Sequence, residues 1–481
     1  MNHSKKQNNF LRNYIELSKV VIVTLFVLVI PEIISRCASF TFRKMLCMLA
    51  GFLIFGCQSK SKSLNIDDVE VIALAETSSL ITKEEKVLWL EDLDYLVEEI
   101  HRLHPDPFYS GNQKEFNDIY SWICENIDRM DREEIIICYM RLLAQIGNNG
   151  KDGHTGLWPY MDPANFHLYP LRLYWFDDGI YIVDSETDRD LKGAKLLSIN
   201  NVLVEDIVER LNPFVSRDGP NWLKSWIPVH MLSPEFQRAL QFSGKNDSSE
   251  FRLLLDDEEF VITLKSIPHE AYHERFPMYL WQGILPYNQY VRYLNKSDDY
   301  FWYELLEDSR SLYFQMRAVV SQNNDGKTLE QTVQEMTSLV NNGSVDRFII
   351  DLRLNGGGDN SVYTPLLDFI SRDTFFKNKG RLYILIGRAT FSAGINFVTD
   401  AEISSNAILV GEPTGGSPNQ YGDPEGIILP NSKVRARIST IYWNKIEKDK
   451  RLDHHPSISV PVVSNDYFKN RDRVLDTIIN Y

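Results

Sequence analysis

Two glycine-bearing loops in the last third of the chain hold the residue types that acyl chemistry needs. The first reads Asp351-Leu352-Arg353-Leu354-Asn355-Gly356-Gly357-Gly358-Asp359-Asn360. Its glycines leave backbone N–H groups uncovered ahead of a helix-like stretch whose dipole favours negative charge, so a phosphate or an oxyanion fits there. A phosphate loop needs Gly-Lys-Ser/Thr and a dinucleotide fold needs Gly-x-Gly-x-x-Gly, and neither spacing occurs here. A tight strand-to-helix turn without a ligand is the plain alternative. The second loop reads Gly387-Arg388-Ala389-Thr390-Phe391-Ser392-Ala393-Gly394. Ser392 stands between an apolar strand-like run and a helix-like run, with small residues after it, so an acyl group has close access to its hydroxyl. An N-capping serine fits the same place. If Ser392 is the nucleophile, the N–H groups of Gly357 and Ala393 converge as oxyanion donors.

The surrounding pattern supplies elements to carry these loops. Arg347 to Arg353, Leu382 to Ile386 and Ala407 to Val410 read as buried strands, with helical stretches at Val362 to Ile370 and near Ala393 to Glu402. Two consecutive βαβ units imply parallel strands with both loops at the carboxyl edge of the sheet, where such sheets keep their chemistry. Upstream, Trp89, Leu93, Leu96, Ile100 and Leu103 form one helical stripe that stops at His104-Pro105. Phe116, Ile119, Ile123 and Ile127 form a second. A third helix, Arg132 to Ile146, runs into the polar loop Gly147 to Thr155. Between these regions lie short strands with one clear helix, Val204 to Leu211, and an acidic hairpin turn, Asp256-Asp257-Glu258-Glu259. The pattern divides the chain into a leader (1–56), a linker (57–80), a helical cap (81–160), a β-rich insert (165–270) and an α/β core (275–481).

Three ordered blocks resemble the S41 serine peptidases: Asp-x-Arg-x-Asn-Gly-Gly-Gly at 351–358, Thr-Phe-Ser-Ala-Gly at 390–394, and Val410-Gly411-Glu412-Pro413-Thr414-Gly415-Gly416-Ser417-Pro418. The order of cap, insert and core is also similar to that family's. The resemblance implies an α/β fold with a ClpP/crotonase-like catalytic core, an N-terminal helical cap and a PDZ-like insert, with Ser392 as nucleophile. One branch of the family uses a Ser-Lys dyad, as in C-terminal processing peptidases, and the other uses a histidine, as in the tricorn core. The lysine slot of the dyad branch holds Ser417, whereas Asp152-Gly153-His154-Thr155 resembles the histidine block, so the resemblance makes His154 the general base. Such a base is expected to titrate near its ordinary value of about 6.5. In tricorn a serine beside the histidine links it to a glutamate; here that neighbour is Gly153, and Asp152, Asp449 and Asp453 stand as alternatives for orienting the imidazole. The implied activity is that of an endopeptidase or C-terminal processing peptidase acting through an acyl-enzyme. The rival reading is a degenerate peptide-binding protein that relies on the PDZ-like module.

The chain has 481 residues, 43% hydrophobic and 24% charged, which excludes wholesale disorder. A net charge of −15 argues against nucleic acid as a partner. The leader is basic, with seven basic residues against two acidic ones, leaving −20 on the remainder. Leu53-Ile54-Phe55-Gly56-Cys57, after Arg43-Lys44 and before a polar tether, resembles a bacterial lipoprotein signal, which implies lipidation at Cys57, a membrane anchor and a cell-envelope location. Only Cys124 and Cys138 remain in the body, in helix-like sequence, and read as buried thiols. His454 and His455 are adjacent and point to opposite sides of a strand, so no metal site and no cofactor are expected.

Overall fold

Capping chemistry sets the first helix. In this computed structural model Thr82 and Glu85 form a reciprocal capping box, Thr82 Oγ1 accepting the Glu85 N–H at 3.1 Å and Glu85 Oε2 the Thr82 N–H at 2.7 Å. Helix α1 (Lys83–Leu103) buries Trp89, Leu93, Leu96 and Ile100 and ends at His104, ahead of Pro105. The structure describes residues 80–480 except 148–149, 162, 244–247, 277–283 and 297; the leader, Cys57 and nearly all of the tether lie outside the described residues. Helix α2 (Gln113–Asn126) and α3 (Arg132–Gly147) follow, and α3 is buried from Glu134 to its end, making it the centre of the cap. Cys138 is buried and Cys124 partly so.

The insert is an antiparallel sheet of β1 (Leu171–Phe176), β2 (Gly179–Ser185), β3 (Lys195–Ile199), β4 (Ser248–Leu255) and β5 (Glu258–Lys265), with Val202–Leu203 paired to β3. The acidic turn is a tight hairpin in which Asp256 and Asp257 both adopt positive φ (50° and 64°), as a turn matching strand twist requires. The expectation of a single helix is corrected. Besides α4 (Val204–Leu211), the insert carries α5 (Leu223–His230) and α6 (Pro234–Ala239). Pro228 inside α5 hides that helix from a propensity reading. It is tolerated because the helix is two turns long and packs Trp226 and Ile227 inward.

The core sheet contains, in spatial order, β11 (Ile458–Ser459), β10 (Ile408–Gly411), β9 (Leu382–Ile386), β8 (Arg347–Asp351), β7 (Ser311–Met316) and β6 (Phe301–Leu306). All neighbours are parallel except the β6–β7 hairpin. The crossovers are α7 (Leu329–Asn341), α8 (Thr364–Arg372) and α9 (Ala393–Ser404), each between adjacent strands. Strand order that advances in one direction with crossovers of one hand puts every crossover helix on the same face. The burial pattern agrees: Phe348, Ile350, Ile384 and Ile386 pack with residues of α7, α8 and α9, while Ile349 and Leu385 pack on the other face against Val474, Leu475 and Ile478 of α10 (Arg473–Ile479). A further hydrophobic cluster runs without a break from Trp89 of the cap through Phe251 of the insert to Phe391, Ile395 and Ile438. Cap and insert therefore share one interior with the loop that carries Ser392.

Candidate active site

The two carboxyl-edge loops are stapled to each other. Asn355 accepts the Phe391 N–H with its carbonyl (2.9 Å) and donates Nδ2–H to the Met316 carbonyl (2.9 Å). Thr390 Oγ1 donates to the Leu352 carbonyl at 2.8 Å. A Cβ on Gly394 would sit 2.6 Å from Asn355 Oδ1, so only glycine permits this approach. Arg388 is buried and grips Glu412 through Nε (2.8 Å) and Nη2 (2.9 Å), tying the Ser392 loop to the Val410–Pro418 segment. The three sequence blocks thus meet at one edge of the sheet.

Ser392 sits between β9 and α9 with φ 52° and ψ −124°, a backbone conformation that a residue with a side chain rarely adopts. It does not cap α9 with its side chain; Oγ makes no hydrogen bond to any described residue. Gly357 packs against it: a Cβ there would lie 2.6 Å from Ser392 Cβ, 3.1 Å from Oγ and 3.3 Å from the Ala393 nitrogen. The N–H of Ala393, at the start of its helix, has no acceptor within that helix. The N–H of Gly357 departs from expectation, because it is donated to Asn355 Oδ1 at 3.0 Å. Asparagine side chains readily capture the N–H two residues on, and that local bond leaves the Gly357 donor engaged in this structure.

His154 lies beside this loop, 5% exposed, with its ring stacked on Phe391 at 4.4 Å between centroids and 24° between planes. Phe391 in turn stacks on Trp222 at 4.2 Å and 10°. Neither imidazole nitrogen has a hydrogen-bond partner, so His154 and Ser392 are not bonded in this structure. Burial, followed by the positive charge of Arg437, lowers the His154 pKa to about 4, and Asp152 and the Tyr421 backbone offset only part of this. The expected titration near 6.5 is therefore corrected downward, and the ring is neutral at physiological pH.

None of the three sequence candidates bonds the imidazole. Asp152 is fully buried and holds the backbone instead, with Oδ1 accepting the N–H of His154 (2.9 Å), the N–H of Thr155 (2.8 Å) and Ser439 Oγ–H (2.8 Å). Its Oδ2 pairs with His104 Nε2 at 2.9 Å. His104 Nδ1 accepts the Asp106 N–H, so Nε2 carries the proton given to Asp152. Asp449 is taken up by Arg451, and Asp453 pairs with the exposed His455 at 2.5 Å. His454 faces inward to Thr399, opposite to His455, and among the described residues no group could hold a metal ion. Ser417, in the lysine slot, bonds the Asn419 carbonyl, and Lys445 is held by Asp400 at 2.8 Å.

Sequence reading missed Asp218. This carboxyl is buried, accepts the Gly153 N–H with Oδ1 and leaves Oδ2 unpartnered. Burial, with Asp152 nearby, pushes its pKa well above the carboxylate range. A Cβ on Gly153 would meet the Phe391 ring at 3.0 Å, so the glycine admits the stack where a hydroxyl-bearing residue would be crowded. No local signal marks Asp218, whose partner is remote in sequence; His104 was legible only as a helix stop.

Comparison with solved structures finds this fold in mature CPAF, with a TM-score of 0.53 at 12% identity over 82% of this chain and 98% of that one. A serine-to-alanine mutant of CPAF gives a TM-score of 0.56 at 12% identity, over 82% and 96%. Mature CPAF complexed with lactacystin gives 0.52 at 12%, over 82% and 99%. No protein-family model matches the sequence. No curated protein matches it either.

Proposed function

We propose that the chain is a serine peptidase of the S41 type, with a ClpP/crotonase-like core, a PDZ-like insert and Ser392 and His154 as its working pair. The observation that carries this reading is the backbone of Ser392, held at positive φ on a strand–turn–helix with Gly357 against its hydroxyl. Resemblance of the three blocks and the shared fold support it. In the proposed cycle His154, neutral at working pH, takes the Ser392 proton, and Oγ attacks a peptide carbonyl. The N–H of Ala393, joined by that of Gly357 once Asn355 lets go, receives the oxyanion, and His154 returns the proton to the leaving amine. Water, deprotonated by the same imidazole, then attacks the acyl carbon; the bond to Oγ breaks, and the imidazolium gives its proton back to Oγ. Apo sites often hold base and nucleophile apart until substrate arrives, which reconciles the unbonded pair with catalysis.

The second reading, a peptide-binding protein with a degenerate site, is favoured by that unbonded pair and by the engaged Gly357 N–H. Fluorophosphonate labelling of the mature body decides between them. An adduct that disappears in Ser392→Ala establishes the nucleophile, and absence of any adduct on folded wild type establishes the binding reading. Attachment to the cell envelope through a lipid on Cys57 is part of the proposal and rests on the Leu53–Cys57 run.

A further inference from the structure

Two buried arginines at the edge of the core sheet are supplied with carboxylates. Arg353 binds both Asp351 and Asp472, and Arg388 binds Glu412. Arg437 is different. It lies on the strand Arg435–Ile438, directly opposite Gly156 in antiparallel register, two residues beyond His154. Opposed residues of such a pair share a face, and the missing side chain at Gly156 leaves that face open for a long one. The guanidinium uses the space to lie over the ring of Trp158, 4.4 Å from its centroid. It has no carboxylate within ion-pair distance and no side-chain hydrogen bond among the described residues, and its Nε is shut off from water without an acceptor. Burial draws its pKa down to about 10, so it remains charged at neutral pH. Residue 437 is only half-buried, so its guanidinium stays within reach of solvent, and a charged fork left without a carboxylate is free to take one from a ligand.

Other orphaned polar groups surround the same place. Tyr109 Oη, both His154 nitrogens and Asp218 Oδ2 are buried without partners. Asp152 links the set electrostatically, since it acts on Tyr109, His154, Asp218 and Arg437 alike. Asp152 attracts the guanidinium from beyond ion-pair distance but spends its own oxygens on other donors, so it does not bind Arg437 directly. Beside Gly156 and Trp158 runs a small cavity of about 30 Å³, walled by Trp158, Trp222 and Trp226 together with Thr155, Ser216 and His230. Indole walls beside a cation suit a small apolar group next to a carboxylate.

We propose that Arg437 is a specificity residue that binds a substrate carboxylate, either an acidic side chain or a free C-terminus, next to the Ser392–His154 pair. The inference rests on reading that pair as the active site. A carboxylate bound there would also cancel the charge that depresses His154, making the base stronger when the preferred substrate is in place.

The test separates this from peptidase activity by measuring binding to Ser392→Ala protein. A fluorescein-labelled apolar hexapeptide is made in four forms, with Glu or Gln at the penultimate position and with a carboxylate or an amide at the C-terminus. Polarisation titration should show the carboxylate forms binding about 10- to 100-fold tighter than the neutral form. Loss of that advantage on Glu-to-Gln exchange identifies a side-chain reader, and loss on amidation a terminus reader. Arg437→Met should abolish the advantage while leaving affinity for the neutral peptide within about twofold, and Arg437→Lys should retain part of it. Equal binding of all four forms by protein with native Arg437, or no binding by any, overturns the proposal whatever the variants do. A uniform loss across the four forms in Arg437→Met also overturns it, by reducing Arg437 to a packing role. Fluorophosphonate labelling of wild type, run in parallel, tests the peptidase reading independently.

Discussion

His104 Nε2 and Asp152 Oδ2 lie 2.9 Å apart with both side chains fully buried, and Asp152 passes that constraint to the backbone of His154. The pair joins the end of α1 to the loop that carries His154. His104→Ala leaves a buried carboxylate short of a donor, and Asp152→Ala frees two backbone N–H groups, a serine hydroxyl and an imidazole together. Removing one partner of a buried pair costs about 3–5 kcal/mol. Thermal or urea unfolding should show a loss of that size for Asp152→Ala and a smaller one for His104→Ala. An unfolding midpoint unchanged in both variants would show that the loop is held by packing alone.

The pH profile follows from the surroundings of His154. If the neutral ring is the base, as proposed, then with a pKa of about 4 the hydrolytic rate should be flat through neutrality and fall only as pH drops through about 4. Stability moves in the same direction. The folded pKa lies below the unfolded value of about 6.5, so the contribution of this group is complete above that value and is lost as pH falls toward 4. Removing the Arg437 charge should move the acid limb upward. A limb that stays in place in Arg437→Met would disprove the electrostatic contact.

Replacing His154 with Ala should lower turnover by about 10⁴- to 10⁶-fold, as when a triad base is lost. Substitution of Lys433, Lys445, Lys448, Lys450 or Lys469 with Ala should change it little. Near-normal turnover in folded His154→Ala, with a dead lysine variant, would move the chain to the dyad branch. Activity should also survive EDTA; a loss restored by zinc would remove the serine mechanism.

Gly357→Ala is the sharpest test of the oxyanion region. Gly357 has φ 115°, and the added methyl would fall 2.6 Å from Ser392 Cβ. The expected result is folded protein with at least about a 10²-fold loss of labelling rate, comparable to removal of an oxyanion donor. Wild-type labelling would mean that Ser392 and Gly357 are not held together in solution.

Local pattern carried much of the architecture. The stripe from Trp89 to Ile100 is helical because its spacing matches one face, and Phe348 and Ile349 are buried on opposite faces because strands alternate. Ser392 and the glycine loop were readable because a strand, a turn and a helix follow in direct succession. What pattern could not reach were partnerships between distant segments: Asp218 with Gly153, His104 with Asp152, and the stack of His154, Phe391 and Trp222. Each of these residue types is ordinary where it stands, and only the closed fold brings them into contact. The titration of His154 was misjudged for the same reason, since burial is a property of the assembled cap and core.

The crowding at Gly153 makes two distant positions answer for each other. A hydroxyl-bearing residue beside His154 and a flat aromatic seat beneath it compete for one space, so Gly153→Ser alone should wedge the Phe391 ring away from His154. Pairing it with a smaller residue at 391 should recover what the single change loses, giving a favourable coupling energy in a double-mutant cycle. Routes between the two kinds of histidine support therefore pass through a less fit single variant, unless the ring at 391 shrinks first.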